Sequence, residues 1–266
     1  AGGWHHEAKK MALAERFADT GAEFHGDTLV FDVEIVGRRL MAIHASTPVG
    51  PMRIEAQGFI DGSGDADLCR RAGGEYKGGR PGDGAVLSFS QVAGQLLVKS
   101  GTIGMGSVNY DAGHVDPTDP EDISRGRLQG IVQFLRDSYD ACSRFYYMAP
   151  VIGLRQSVHV CSDRDITVAD LILHRRFPDS IGPTFSFLDT HAMDFEFDED
   201  EVGFWLWVCR NFRGRVGCDL PYGMLLPRNL DNVWVACRAA GMSTAAAYAL
   251  RMERDIQRLG EAAGTA

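Results

Sequence analysis

The closing stretch Leu225-Leu-Pro-Arg-Asn-Leu-Asp-Asn-Val-Trp-Val-Ala-Cys-Arg-Ala-Ala-Gly-Met-Ser-Thr244 constrains the fold more than any other part of the chain. Turn, strand and helix signals follow one another within it. Asp231-Asn232 marks a turn, and residues 233–237 are an apolar run short enough for a buried strand. Residues 241–244 offer an N-cap before Ala245-Ala-Ala-Tyr-Ala-Leu-Arg-Met-Glu-Arg-Asp-Ile-Gln-Arg-Leu, a run of strong helix formers. Such a unit suits a mixed α/β protein, and a helix N-terminus within it presents unpaired N–H groups and partial positive charge to a phosphate or an electron-rich ring.

A second punctuated segment lies upstream, at Ile54-Glu-Ala-Gln-Gly-Phe-Ile-Asp-Gly-Ser-Gly-Asp-Ala-Asp-Leu-Cys-Arg-Arg-Ala-Gly-Gly74. Gly62 and Gly64 remove side chains where backbone turns sharply or approaches a ligand, and Asp65 and Asp67 are placed to cap the helix that follows. The acids Asp61, Asp65 and Asp67 imitate part of a calcium loop. That reading fails because no acidic residue closes the loop at its twelfth position and a helix-like segment begins too early.

These two segments, with Ser124-Arg-Gly-Arg127, Ile152-Gly-Leu-Arg-Gln-Ser157, Arg175-Arg-Phe-Pro-Asp-Ser-Ile181, Asp189-Thr-His191 and Leu220-Pro-Tyr-Gly-Met-Leu-Leu-Pro227 between them, occur in an order that resembles the FAD-dependent oxidoreductases of the two-dinucleotide-binding-domain flavoprotein superfamily. Nearly the whole chain is covered. Four positions depart from the pattern: Cys237 replaces a Gly, Gln156 and His159 replace Glu and Arg, and Gly241 stands where Ser is common. The resemblance implies FAD as cofactor, with the Asp61–Asp67 loop against its adenosine diphosphate and the closing unit against the flavin. Cofactor contacts are then expected from Asp61, Gly62, Gly64, Asp65, Ala236, Arg238, Ser243 and Arg251, the last in the first turns of the closing helix.

The Gly-x-Gly-x-x-Gly segment that opens such flavoproteins is not found in this sequence, which starts Ala1-Gly-Gly-Trp-His-His. The expectation is therefore the carboxyl-terminal portion of a longer flavoprotein or one piece of a split one, whose partner chain carries that segment. Such a chain would bind FAD poorly and be inactive alone.

A length of 266 residues with 45% hydrophobic content suffices for one large core or two smaller ones. The net charge of −9, without a basic block, argues against a nucleic-acid surface. The longest apolar stretch, residues 202–209, is too short and interrupted to span a bilayer, and no signal-peptide pattern is present at this start. The 6 cysteines have no Cys-x-x-Cys spacing, which suits buried thiols in a reducing cytoplasm. No metal-binding spacing is present; His5-His6 would need ligands from elsewhere.

The pattern predicts a helix over 7–20, strands at 22–25, 29–36, 39–46 and 52–61, a helix over 65–72 and a mobile Gly-rich loop at 73–84. Further strands are expected at 86–92, 96–99 and 154–161, with helices over 120–140 and 168–173. The acidic run 196–201 reads as a solvated turn. The fold class expected is mixed α/β: a partial Rossmann-like FAD-binding domain over 1–84, an inserted antiparallel sheet-and-helix substrate domain over 85–220, and a return to the FAD domain over 221–266.

For chemistry on a small organic substrate, Arg155 is a candidate to fix a carboxylate or oxyanion, His191 to take a proton as hydride leaves carbon, and Tyr222 to stand beside them. Two other classes compete. One is a non-catalytic subunit contributing an interface; the other is a hydrolase using carboxylates such as Asp163, Asp165 and Asp179, whose spacing specifies nothing.

Overall fold

The computed structural model describes residues 6–99, 102–137, 139–140, 143–191, 195–208 and 214–266. Helix α1 (His6–Thr20) ends at Gly21, whose φ of 68° suits glycine. Residues 22–25, expected as a strand, join no ladder and stay irregular; Phe24 instead packs edge-on against Phe17, ring centres 5.6 Å apart. An antiparallel meander follows as expected, of β1 (Leu29–Val36), β2 (Arg39–Thr47) and β3 (Gly50–Glu55).

The strand expected over 52–61 is cut in two, because its halves serve different sheets. β3 pairs antiparallel with β2, whereas β4 (Phe59–Asp61) runs parallel to the late strand Val233–Val235. The cut is held by Asn232, whose side-chain amide donates to Gln57 O at 3.0 Å while its carbonyl accepts from Phe59 N at 2.9 Å. Gly58 lies under the Trp234 ring, where a Cβ would collide.

Helix α2 (Asp67–Arg71) and β5 (Tyr76–Gly78) come next. β6 (Ser90–Lys99) is one unbroken strand rather than two, and it pairs antiparallel with β7 (Thr102–Asp111). Helix α3 (Pro120–Asp137) leads to β8 (Ser143–Met148), which takes the other edge of β6. The helix approaches this sheet through Gly126, where a Cβ would strike Val115 and Phe89. The glycine of Ser124-Arg-Gly-Arg127 is thereby explained by packing.

Only the end of the strand expected over 154–161 joins a ladder, as β9 (Val158–Val160) beside β5. Helix α4 (Val168–Ile172) starts at a capping box, Thr167 accepting from Asp170 N while Asp170 accepts from Thr167 N. Short strands β10 (Ser180–Pro183) and β11 (Ser186–Phe187), helix α5 (Asp200–Gly203), and strands β12 (Arg215–Val216) and β13 (Asp219–Pro221) complete this part; β10 pairs with β13 and β11 with β12. β14 (Val233–Val235) returns to β4. The closing helix is broken in two, α6 (Ala247–Leu250) and α7 (Glu253–Thr265), so Arg251 sits at the end of α6 and not in the first turns of one long helix.

One buried cluster, with Leu40, Phe59, Val233, Val235 and Cys237, packs β4 and β14 against the meander. Another, with Ile166, Met224, Met242 and Leu250, seats the chain around α6. Among the described residues no helix is long and apolar enough to cross a membrane.

Candidate functional site

Two polar centres emerge, joined by three consecutive buried residues. The first lies at the carboxyl ends of the parallel strands β4 and β14. Asp61, 2% exposed, spends its carboxylate inside its own loop: Oδ1 accepts from Ser63 N at 3.0 Å and Ser63 Oγ at 2.7 Å, and Oδ2 from Cys69 N at 2.9 Å. Ser63 Oγ in turn accepts from Asp67 N at 2.9 Å. Asp61 and Ser63 therefore organise the start of α2, correcting the expectation that Asp65 and Asp67 cap it; Ala66, the residue before the helix, makes no side-chain cap.

Asp65 points elsewhere. It accepts from Arg238 Nη2 at 2.7 Å and from the Ser157 hydroxyl. Gly64, at φ 96°, backs directly onto the Arg238 guanidinium, whereas the Cβ position of Gly62 meets open space. Ala236 is buried and donates its N–H to Asp61 O, which ties β14 to the loop. Loop and closing unit are thus neighbours although far apart in sequence.

The second centre is a chain of alternating charge. Arg155, from the segment before β9, donates to Ser88 O and Asp111 Oδ1. The other oxygen of Asp111, at the end of β7, faces His191 Nδ1 at 2.8 Å. His191 Nε2 faces Asp189 Oδ2 at 2.9 Å, and the same oxygen accepts from Arg251 Nη2 at 2.7 Å. The order is Arg155, Asp111, His191, Asp189, Arg251. His191 holds a left-handed φ of 51°, an uncommon conformation for a non-glycine residue that these contacts help to fix. Burial depresses the pKa of Arg251, opposed by Asp189, and its Nε is buried without a hydrogen-bond partner.

Residues 155–157 connect the centres. Arg155 enters the charged chain. Gln156 accepts from Leu87 N at 3.1 Å and donates to Thr244 O at 2.9 Å, and Ser157 reaches Asp65. All three are at most 9% exposed.

Other expected groups are used differently. Ser243 Oγ donates to Glu199 at 3.0 Å and accepts from Ala246 N, and Ala245 N also donates to Glu199. The amides before α6, expected to be open to a ligand, are consumed by this clamp. Glu199 and Asp198, which bonds the Tyr248 hydroxyl, also correct the picture of 196–201 as a solvated turn; burial raises the pKa of Glu199. The glycine loop expected to be mobile is closed on itself by the Arg80–Asp83 pair at 2.7 Å and tethered by Gly82 N on Phe197 O.

Tyr222 is not brought to the charged chain. Its hydroxyl accepts from Trp234 Nε1 at 2.6 Å, and its ring lines a cavity of about 560 Å³ beside α7. The carboxylates considered for hydrolysis have separate engagements: Asp165 pairs with Lys77 and Asp179 accepts from Gly223 N. Sequence reasoning missed Asp111, Glu199 and the Ser157 bridge. It missed Asp189 too, although the motif Asp189-Thr-His191 places that carboxylate two residues from the histidine.

The fold is thus a mixed helix-and-strand protein whose glycine-bearing loop and buried arginines come from the two ends of the chain. The chain belongs to the FAD dependent oxidoreductase family, whose model matches residues 3–96 and 89–266. Its cofactor is accordingly FAD, and its activity is a flavin-dependent oxidation–reduction. No curated protein matches it. The residues present fit the cofactor: the Cβ position of Gly62 faces open space that leaves room for a close ligand, and the buried Nε atoms of Arg238 and Arg251 are donors without a hydrogen-bond partner.

Proposed function

We propose that the chain transfers hydride between a small organic substrate and FAD, with the adenosine-diphosphate part against Gly62, Gly64 and Arg238 and the flavin beside Arg251. The observation that carries this reading is the charged chain itself, which joins Arg155, His191 and Arg251, three residues singled out from distant parts of the sequence, through two carboxylates. When bound, FAD supplies a two-electron acceptor for hydride. Arg155, held by Asp111, is the group to fix an anionic oxygen of the substrate, and the His191 cluster receives the proton that remains after hydride departs. Arg251, largely shielded from water, stabilises negative charge that develops on the cofactor. On this reading, residues 85–220 carry the substrate, and 1–84 with 221–266 hold the cofactor. The four described cysteines, Cys69, Cys161, Cys218 and Cys237, are free thiols, which supports a reducing compartment such as the cytoplasm.

The test is potentiometry of FAD-loaded protein. A folded Arg251→Met variant should have a lower flavin reduction potential and slower reduction. An unchanged potential in a folded variant would leave Arg251 only its structural pairing with Asp189.

A further inference from the structure

We propose that Asp189, His191 and Asp111 form a proton wire that carries protons between the cofactor side of the site and bulk water, so that His191 is its middle member rather than the terminal base. The inference rests on the reading of this cluster as the catalytic one. Its grounds are geometric. Each ring nitrogen of His191 meets a different carboxylate, Nε2 at Asp189 and Nδ1 at Asp111, so neither nitrogen is open to a substrate. Asp189 uses Oδ2 for both His191 and Arg251, and among the described residues its Oδ1 has no hydrogen-bond partner. The inner end of the wire is therefore an available carboxylate oxygen.

Exposure gives the direction. The Asp189 side chain is 27% exposed and that of Asp111 44%, while the arginines behind them are both largely buried, Arg251 at 12% and Arg155 at 8%. The charged groups facing His191 are Asp111 from β7 and Asp189 from its own segment, with Arg155 and Arg251 behind them. Each arginine anchors one carboxylate, and this leaves the imidazole as the element that relays between them.

The step balances as follows. Oxidation of a substrate carbon bearing an O–H or N–H sends its C–H hydrogen with two electrons to FAD as hydride and leaves one proton. Asp189 accepts that proton on Oδ1, and a half-turn of the carboxyl presents it to Nε2. The Nδ1 proton passes to Asp111, which releases it to water. Exchange of the part-exposed ring with solvent restores the starting tautomer. Reduction of the cofactor by an external reductant draws a proton inward along the same atoms.

Rapid mixing of FAD-loaded protein with dithionite, in weak buffer with a pH indicator, follows electron arrival by flavin absorbance and proton uptake by the indicator. In wild type the two signals should coincide. In Asp111→Asn, proton uptake should lag by roughly tenfold or more, and added acetate should restore it, since a small carboxylate replaces the missing one. Asp111→Glu should behave as wild type, and a His191→Gln lag should not yield to acetate. Proton uptake in a folded Asp111→Asn that keeps pace with electrons overturns the wire. Should Asp111→Asn not fold, His191→Gln decides: proton uptake that lags behind electron arrival supports the wire, and uptake that keeps pace with the electrons overturns it. Failure of this chain to take up FAD alone bears on the functional reading and not on the wire, and is the outcome expected where a partner chain carries the Gly-x-Gly-x-x-Gly segment. The wire is then read from nitrogen-edited NMR of flavin-free protein, where His191 ring N–H exchange should be several-fold faster with Asp111 than with Asn; equal rates overturn it.

Discussion

Gly241 illustrates how one residue type can be fixed by a neighbour remote in sequence. A Cβ at this position would land on the Ser162 side chain, which is fully buried and holds Asp165 Oδ1 at 2.8 Å. The serine common at position 241 in the resembling pattern is thus excluded because a serine from the end of the β9 segment already fills the space. Gly241→Ala should destabilise the protein by about 1–3 kcal/mol through overpacking. Adding Ser162→Gly should return much of that loss, as measured by urea denaturation midpoints; additive losses would show that the clash is not the cause. His159 carries a second residue-scale prediction. Complete burial, with Lys77 nearby, lowers its pKa from 6.5 to about 4, so the folded protein keeps it neutral where the unfolded chain takes up a proton. The unfolded state therefore binds more protons between these values, and stability falls as pH falls from 6.5 towards 4, by on the order of 3 kcal/mol. His159→Gln should flatten that decline. Parallel stability curves for the two proteins would remove His159 as the source.

At the scale of elements, α4 offers the cleanest local test. Thr167 makes a reciprocal cap with Asp170, so Thr167→Ala should cost about 1 kcal/mol, visible as a lower urea midpoint with unchanged slope. A neutral result would mean that the buried Val168 and Leu171 hold this turn without its cap. This helix was legible in the sequence because its signal is local: a hydroxyl, a carboxylate three residues on, and an apolar run. The meander of β1 to β3 was legible for the same reason, through alternation and its turn residues. What could not be read was partnership. The 52–61 run looked continuous because nothing in it announces that Phe59–Asp61 changes sheets to meet Val233–Val235, 174 residues further along for the pair Phe59 and Val233 (233 − 59). The closing helix looked single because Ala, Leu, Arg and Met are all good helix formers. In the structure, Arg251 is held to Asp189 at the break. The candidate site divides likewise: Arg155, His191 and Arg251 stood out by residue type, but Asp111 lies at the end of a strand in a hairpin with no motif of its own.

The molecule as a whole carries a net charge of −9, yet it belongs to a family whose cofactor contains an anionic pyrophosphate. Among the described residues the site offers no unbalanced positive field to offset this. Arg238 is matched by Asp65, Arg155 by Asp111 and Arg251 by Asp189, so each guanidinium provides donors close at hand but little attraction at a distance. Short-range recognition and long-range steering are therefore opposed. At about 0.01 M salt the screening length is about 30 Å, and an approaching FAD senses the whole acidic surface; at about 0.15 M it falls to about 8 Å, and mainly the nearby donors remain in view. The association rate of FAD should consequently rise with salt over this range, by about threefold, opposite to the behaviour of a protein that steers anions inward. Stopped-flow quenching of FAD fluorescence at several sodium chloride concentrations measures it directly. A rate that falls as salt is added would mean that the guanidinium groups dominate the field at the entrance, despite their carboxylate partners.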